Sequence, residues 1–296
     1  MGVLDRIGLI ACLAVGGVLG VGYALLELRP IDTALFWDAG QSAHYYGTIW
    51  SLVNGYVYPP PLAQVAGVLP WPAFVIPWTL LIFASIWYAT RWLSAPILIV
   101  GAVFWSLGNT PLTSPLMLST IGNPQAVVAA AVVLGFRHPA AWGFVLLTKI
   151  GPGIGLVWFA VRREWRSLAI ALGATAVIAA ISAPLSIGAW ADFVRFALGN
   201  YATSSPVPVH AIPVLVRIPM GLALVTWGAL TNRSWTVPVA AGWSALALYE
   251  WSFSLVWAAA IPLYVASRAE SPVRADATDR APDLAATDQN GVLLPT

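Results

Sequence analysis

Long apolar runs alternate with short polar breaks along this chain. Six runs are long and apolar enough to read as membrane-crossing helices: Ile7–Leu26, Leu69–Tyr88, Ser167–Ile187, Ala211–Leu230, Trp235–Tyr249 and Trp251–Ala266. A perpendicular span needs ~20 residues. Between Arg91 and Arg162 the apolar pieces are shorter: Ala95–Leu107, Gln125–Phe136, Ala140–Thr148 and Ile154–Val161. Short pieces of this kind fit broken helices lining an enclosed cavity. The Gly/Pro cluster Lys149-Ile150-Gly151-Pro152-Gly153 predicts a helix break.

Charge places these pieces relative to the bilayer. Cytoplasmic loops are enriched in Lys and Arg. If Arg6, Arg91, Arg137, Arg162, Arg163, Arg166, Arg233 and Arg268 all face the cytoplasm, the pattern predicts about ten membrane segments with both termini inside. A competing topology makes Ala140–Val161 a single span, with about eight crossings and Lys149 near the bilayer centre. The first run has no small-residue cleavage site followed by a soluble domain and reads as an anchor. Residues 1–267 are expected to form one multi-spanning unit. Residues 268–296, rich in Asp, Ala, Thr and Pro, are expected to form a disordered cytoplasmic tail.

Composition agrees with an all-α polytopic membrane protein. Hydrophobic residues make up 59% of the chain and charged ones 9%, against about 25% charge in an average soluble domain. The apolar runs do not alternate as barrel strands do. A net charge of +2 gives no reason to expect nucleic acid. The lone Cys12 excludes an internal disulfide, and no His or carboxylate pair has metal-ligand spacing. No phosphate-binding loop for nucleotides is present, and neither cofactor nor metal is expected. An Ala-, Arg- and Trp-rich bias, with one lysine among fourteen basic residues, points to a GC-rich bacterial genome, and the expected location is the bacterial cell (inner) membrane, multi-pass.

The polar residues collect in few places. Ile31–Pro61 reads as a long outer loop carrying Asp32, Asp38, His44, Tyr45 and Tyr46, and it closes on Tyr56-Val-Tyr-Pro-Pro-Pro. A carboxylate at the membrane boundary can take a proton from a hydroxyl within reach. Asp38 is the first candidate and Asp32 the second; the alternative for Asp38 is an N-cap of a short helix Ala39–Trp50. His44, Tyr45 and Tyr46 suit sugar stacking, but Tyr is also a membrane-interface anchor. Lys149 is the chain's single lysine, set in an apolar stretch. Charge at membrane depth marks a functional-site candidate; Lys149 suits a lipid phosphate, or else snorkelling or a pairing with Glu250. Arg217, in an apolar run after His210, is a second phosphate-ligand candidate.

Taken in order, these features resemble a known family. An aspartate in the first outer loop, Tyr45-Tyr46, Tyr56-Val-Tyr-Pro-Pro, then Gly122-Asn-Pro-Gln125, Leu147-Thr-Lys-Ile-Gly-Pro152 and Arg162-Arg-Glu-Trp-Arg166 resemble the GT-C membrane glycosyltransferases. The likeness is to family 87, the polyprenyl-phosphate-mannose-dependent mannosyltransferases of actinobacteria, and it covers about Phe36–Arg166. The chain departs from the family pattern in its shortness, in the Ile-Gly between Lys149 and Pro152, and in Asp-Ala-Gly-Gln in the first loop.

The resemblance implies an inverting transfer of a hexose, mannose first, from a polyprenyl-phosphate-sugar to a lipid or glycan acceptor on the extracytoplasmic face. Asp38 is the implied base, and Lys149 and Arg217 the donor-phosphate ligands. Tyr58, Asn123, Gln125 and His210 join His44, Tyr45 and Tyr46 as substrate contacts. Two other readings stand beside it: a transporter or flippase of lipid-linked sugars, and a non-catalytic membrane subunit.

Overall fold

The computed structural model describes residues 1–42, 45–46, 56–108, 114–203, 212–244 and 253–268. Every regular element among them is helical. Three helical stretches are long and apolar enough to cross a membrane: Val3–Leu25, Trp71–Ser106 and Trp165–Leu185. The chain is thus a membrane-associated helical protein with three candidate spans among the described residues, and the expectation of about ten segments is overturned. The three correspond to the runs expected at Ile7–Leu26, Leu69–Tyr88 and Ser167–Ile187. Ala95–Leu107 falls, but for its last residue, within Trp71–Ser106, and the other apolar helices among the described residues, Gln125–Gly135, Gly151–Val161 and Leu215–Leu230, are shorter.

The first span is α1, Val3–Leu25. It packs antiparallel to α4, Trp71–Thr90. The Trp87 indole donates to the Asp5 carbonyl at 2.9 Å at one end, and the Trp71 indole to the Tyr23 carbonyl at 3.5 Å at the other. The buried face of α1 is a stripe of small residues, Gly8, Cys12, Gly16 and Gly20; Gly16 and Gly20 meet α4, and Gly8 meets Arg91 and Ser94 just beyond it. Spacing of four keeps them on one side of the helix. Small side chains there let the two backbones approach, as in membrane helix pairs generally. A Cβ on Gly20 lies 3.2 Å from the Ile76 backbone. Gly20→Leu is therefore expected to lower the melting temperature of the detergent-purified protein; an unchanged melting curve would show that this contact contributes nothing.

The 36-residue run 71–106 is not one straight rod. Arg91 closes α4 with φ +54°, and a 3₁₀ turn, Arg91–Leu93, leads into α5, Ser94–Ser106. Glu27, Arg163 and Asn232 also take positive φ, each just past the end of a helix. Non-glycine residues seldom adopt this region except where a helix stops.

The described residues between α1 and α4 include two helices, α2, Ile31–Gly40, and α3, Pro60–Val68. They touch through glycine. A Cβ on Gly40 would overlap the Ala63 carbonyl and lie 2.6 Å from Gly67 N. After α5 come α6, Pro115–Thr120, and α7, Gln125–Gly135. The helix break expected near Lys149 is present: α8 (Trp142–Leu146) stops, the 3₁₀ segment Gly151–Leu156 follows, and α9 is Val157–Val161. Neither α8 nor α9 exceeds five residues, so Ala140–Val161 is not a single span.

The third candidate span begins with α10, Trp165–Ser182, and α11 is Ile187–Thr203. The Ser182 hydroxyl donates to Gln64 Oε1 at 2.6 Å and accepts from the Trp190 indole at 2.9 Å, tying α3, α10 and α11 together. In the C-terminal part, α12 is Val214–Leu230, α13 Thr236–Trp243 and α14 Ser254–Ala258. The expected spans Ala211–Leu230, Trp235–Tyr249 and Trp251–Ala266 fall here; residues 211, 245–249 and 251–252 lie outside the described residues, and no described helix in this part is of spanning length. The tail expected at 268–296 lies outside the described residues, except Arg268.

Candidate functional site

The start of α2 is where the fold gathers polar side chains. Pro30 precedes α2 and fixes where the helix begins. Asp32 sits in its first turn, where an acidic side chain complements the helix dipole. The backbone N–H groups of Asp32 and Thr33 both donate to the Ile121 carbonyl, at 2.9 and 3.1 Å. That pins the start of α2 against the turn between α6 and α7.

Gly122 makes this contact possible. Its φ is +88°, and a Cβ there would overlap the Thr33 hydroxyl. Its carbonyl accepts from the Trp78 indole of α4 at 3.1 Å. The next residue, Asn123, donates from Nδ2 to Asp32 Oδ2 at 2.7 Å. Asn123 also accepts from the Gln125 backbone N–H at 3.1 Å, so one side chain both begins α7 and holds the carboxylate.

Asp32 is 5% exposed. Burial pushes its carboxyl above the ordinary value, opposed by the Asn123 hydrogen bond and by the charge of Lys149. Burial pulls the Lys149 ammonium down to about 8, opposed by Asp32. The two are therefore close enough to interact, although no ion pair joins them. The Lys149 Nζ lies over the Phe253 ring, 4.7 Å from its centroid, a favourable place for a cation. The alternative partner Glu250 lies outside the described residues.

Gln125 completes the cluster. It is 1% exposed, and its Oε1 accepts from the Leu255 N–H of α14 at 3.4 Å. Among the described residues its Nε2 donor has no partner, and neither does the Thr33 hydroxyl beside Gly122. An unpaired buried donor costs free energy unless something supplies an acceptor. The cluster thus offers a carboxylate, an ammonium, a carboxamide pair and an unused donor at one place. That set suits proton removal from a hydroxyl and stabilisation of a nearby anion.

The other candidates from the sequence fall elsewhere. Asp38 is in the last turns of α2, not at the cap of a following helix, because α2 already runs from Ile31 to Gly40. Its carboxylate pairs with Arg29 at 2.7 Å, with both side chains partly exposed. Tyr45 and Tyr58 are buried. The Tyr46 hydroxyl donates to the Tyr58 carbonyl at 2.6 Å, and its ring stacks on Phe196 at 5.7 Å. Tyr56 and Phe36 complete this aromatic packing. The segment expected to be a polar loop thus opens with a helix and turns its described tyrosines inward.

Arg217 is 3% exposed and donates to the Ile212 and Trp243 carbonyls at 3.0 and 2.9 Å. These contacts hold it to a different set of elements from Asp32 and Asn123. His44 and His210 lie outside the described residues. No group of three or more metal-ligating side chains occurs among the described residues.

Phe253 and Thr33 had no signal in the sequence, being an ordinary aromatic and an ordinary helix residue there. Asp32 had one: an acidic residue two positions after Pro30. That pattern equally describes any favourable helix start. No family model, curated protein or solved structure matches this chain.

Proposed function

We propose that this protein is a membrane glycosyltransferase that moves a sugar from a polyprenyl-phosphate donor to a hydroxyl acceptor, with Asp32 as base. The observation that carries this reading is the buried Asp32 carboxylate, held by Asn123 and electrostatically coupled to Lys149 without being bonded to it. A base acting on the incoming oxygen and a phosphate ligand acting on the departing one, on opposite faces of the anomeric carbon, should stand near each other without being bonded. The likeness in motif order around Gly122–Gln125 and Leu147–Pro152 supports the same class, with mannose as the first sugar to test.

In the proposed step the acceptor hydroxyl gives its proton to Asp32. Its oxygen forms the new bond to the anomeric carbon from the face opposite the leaving group. The bond from that carbon to the phosphate oxygen breaks, and its electron pair leaves on the polyprenyl phosphate. Lys149 stabilises the departing charge. A phosphate leaving group needs no proton donor, so one carboxylate serves where glycosidases use two. Asn123 orients Asp32, and the Gln125 Nε2, without a partner among the described residues, would hold a sugar or acceptor oxygen.

The test is transfer of labelled mannose from polyprenyl-phosphate-mannose to added lipid or glycan acceptors by the purified protein in nanodiscs. Other polyprenyl-phosphate hexoses and pentoses run alongside, and failure of all of them removes the proposal. The pH profile adds a second check. Asp32 must be ionised, so the rate rises through a pKa above the usual carboxylate range. Lys149 must be charged, so the rate falls as pH passes about 8. Lys149→Arg is expected to move the alkaline limb to higher pH, because a guanidinium stays charged there. An alkaline limb unchanged in that variant would remove Lys149 from the step.

A further inference from the structure

We propose that a groove between α1, α5 and α6 binds one chain of a membrane phospholipid, whose phosphate is held by Arg29. The groove encloses about 680 Å³. Its walls include Val15 and Leu19 of α1, Ala102 and Trp105 of α5, and Leu116 of α6. The polar groups among them are already used: the Tyr23 hydroxyl donates to the Thr120 carbonyl at 3.0 Å, and the Thr120 hydroxyl to the Met117 carbonyl at 2.8 Å. The interior therefore suits a hydrocarbon chain better than water or a sugar. Two of its walls belong to helices long and apolar enough to cross a membrane, the setting that a lipid-chain groove requires.

Charge complementarity identifies the headgroup. Arg29 lines the same groove. Its guanidinium carbon lies 4.9 Å from the Trp37 ring centroid and 5.4 Å from that of Trp71. Those indoles are themselves fixed, Trp37 by the Leu69 carbonyl at 2.9 Å and Trp71 by Tyr23. A guanidinium carries five N–H donors. One nitrogen, Nη1, reaches Asp38, and the side chain is 49% exposed. Among the described residues its other nitrogens have no acceptor. A pre-oriented fork with spare donors at the mouth of an apolar groove matches a phosphate attached to a lipid chain.

This site is separate from the proposed reaction. Ile31 lines the groove, while Asp32, the next residue, belongs to the Asn123 cluster. Ile121, whose carbonyl accepts from the Asp32 and Thr33 N–H groups, also lines the groove, so lipid there would brace the start of α2.

The experiment uses the full chain in mixed micelles with a phosphatidylglycerol carrying a photoreactive diazirine in its acyl chain. Label is expected to concentrate in peptides containing Val15–Leu19 and Ala102–Met117. Arg29→Gln should lower that labelling about tenfold at limiting probe, the scale of one lost charge-assisted contact. Ala102→Trp should block the groove, and a monodisperse elution profile confirms that each variant is folded. Asp32→Asn should label like the wild type, so loss of sugar transfer and loss of lipid binding remain distinguishable. Label spread evenly over the apolar surface and unchanged in Arg29→Gln overturns the proposal. So does full displacement by millimolar inorganic phosphate, which would make Arg29 a free-anion site.

Discussion

Asp32→Asn is expected to lower sugar transfer by about 10²–10⁴-fold, the range a positioned general base contributes. Melting temperature should hold or rise. The carboxylate is buried, and a carboxamide of the same shape removes a desolvated charge while its oxygen can still accept from Asn123 Nδ2. Asp38→Asn is the matched comparison. It breaks a partly exposed pair with Arg29, an interaction worth about 0–1 kcal/mol. Transfer should then change by less than about fivefold, the rate equivalent of that energy. The measurement is kcat/KM for both variants with polyprenyl-phosphate-mannose. The reverse order of effects would return the role of base to Asp38 and leave Asp32 as a structural carboxylate.

Gly122→Ala should disable the protein by a different route. The substitution puts a Cβ on a backbone with φ +88°, overlapping Thr33 Oγ1 and 2.9 Å from Thr33 N. A left-handed conformation costs an L residue about 1–2 kcal/mol. Overpacking at a tight contact typically adds about 1–3 kcal/mol. The collision falls on the segment whose N–H groups reach the Ile121 carbonyl, so relief must separate Asn123 from Asp32. A clear drop in melting temperature with near-complete loss of transfer is the expected result. Gly108→Ala is the control, since Gly108 also has positive φ (+69°) but no neighbour within 4 Å of a Cβ. Equal losses in the two variants would show that backbone strain alone, not the Thr33 contact, sets the effect.

Reading polarity along the chain pointed to Asp38, because Phe36-Trp37-Asp38 looks like a membrane-boundary carboxylate followed by tyrosines. The tyrosines instead pack on Phe36 and on α11, and Asp38 faces a nearby arginine. Gln125 and Asn123 were picked out by motif order, and they do lie with Asp32 and Lys149. Arg217 was picked out as an intramembrane charge, and it donates to the Ile212 and Trp243 carbonyls. Sequence patterns mark a costly charge without saying whether a ligand or the protein's own backbone satisfies it.

Three helices of spanning length are determined by the chain itself. An unbroken apolar run satisfies its backbone hydrogen bonds internally and needs no neighbour to form. The break after Lys149 is local too, since Gly and Pro act on their own residues and the ones beside them. What only the tertiary structure decided is the partner of each polar group. Asp32 and Asn123 are 91 residues apart, and they meet because Gly122 admits α2 against the α6–α7 turn. Lys149 reaches the same place from a third segment, with Phe253 of a fourth beneath it. Apolar length is a sum over neighbours in sequence, whereas a polar site is a coincidence of distant segments, and only packing brings that coincidence about.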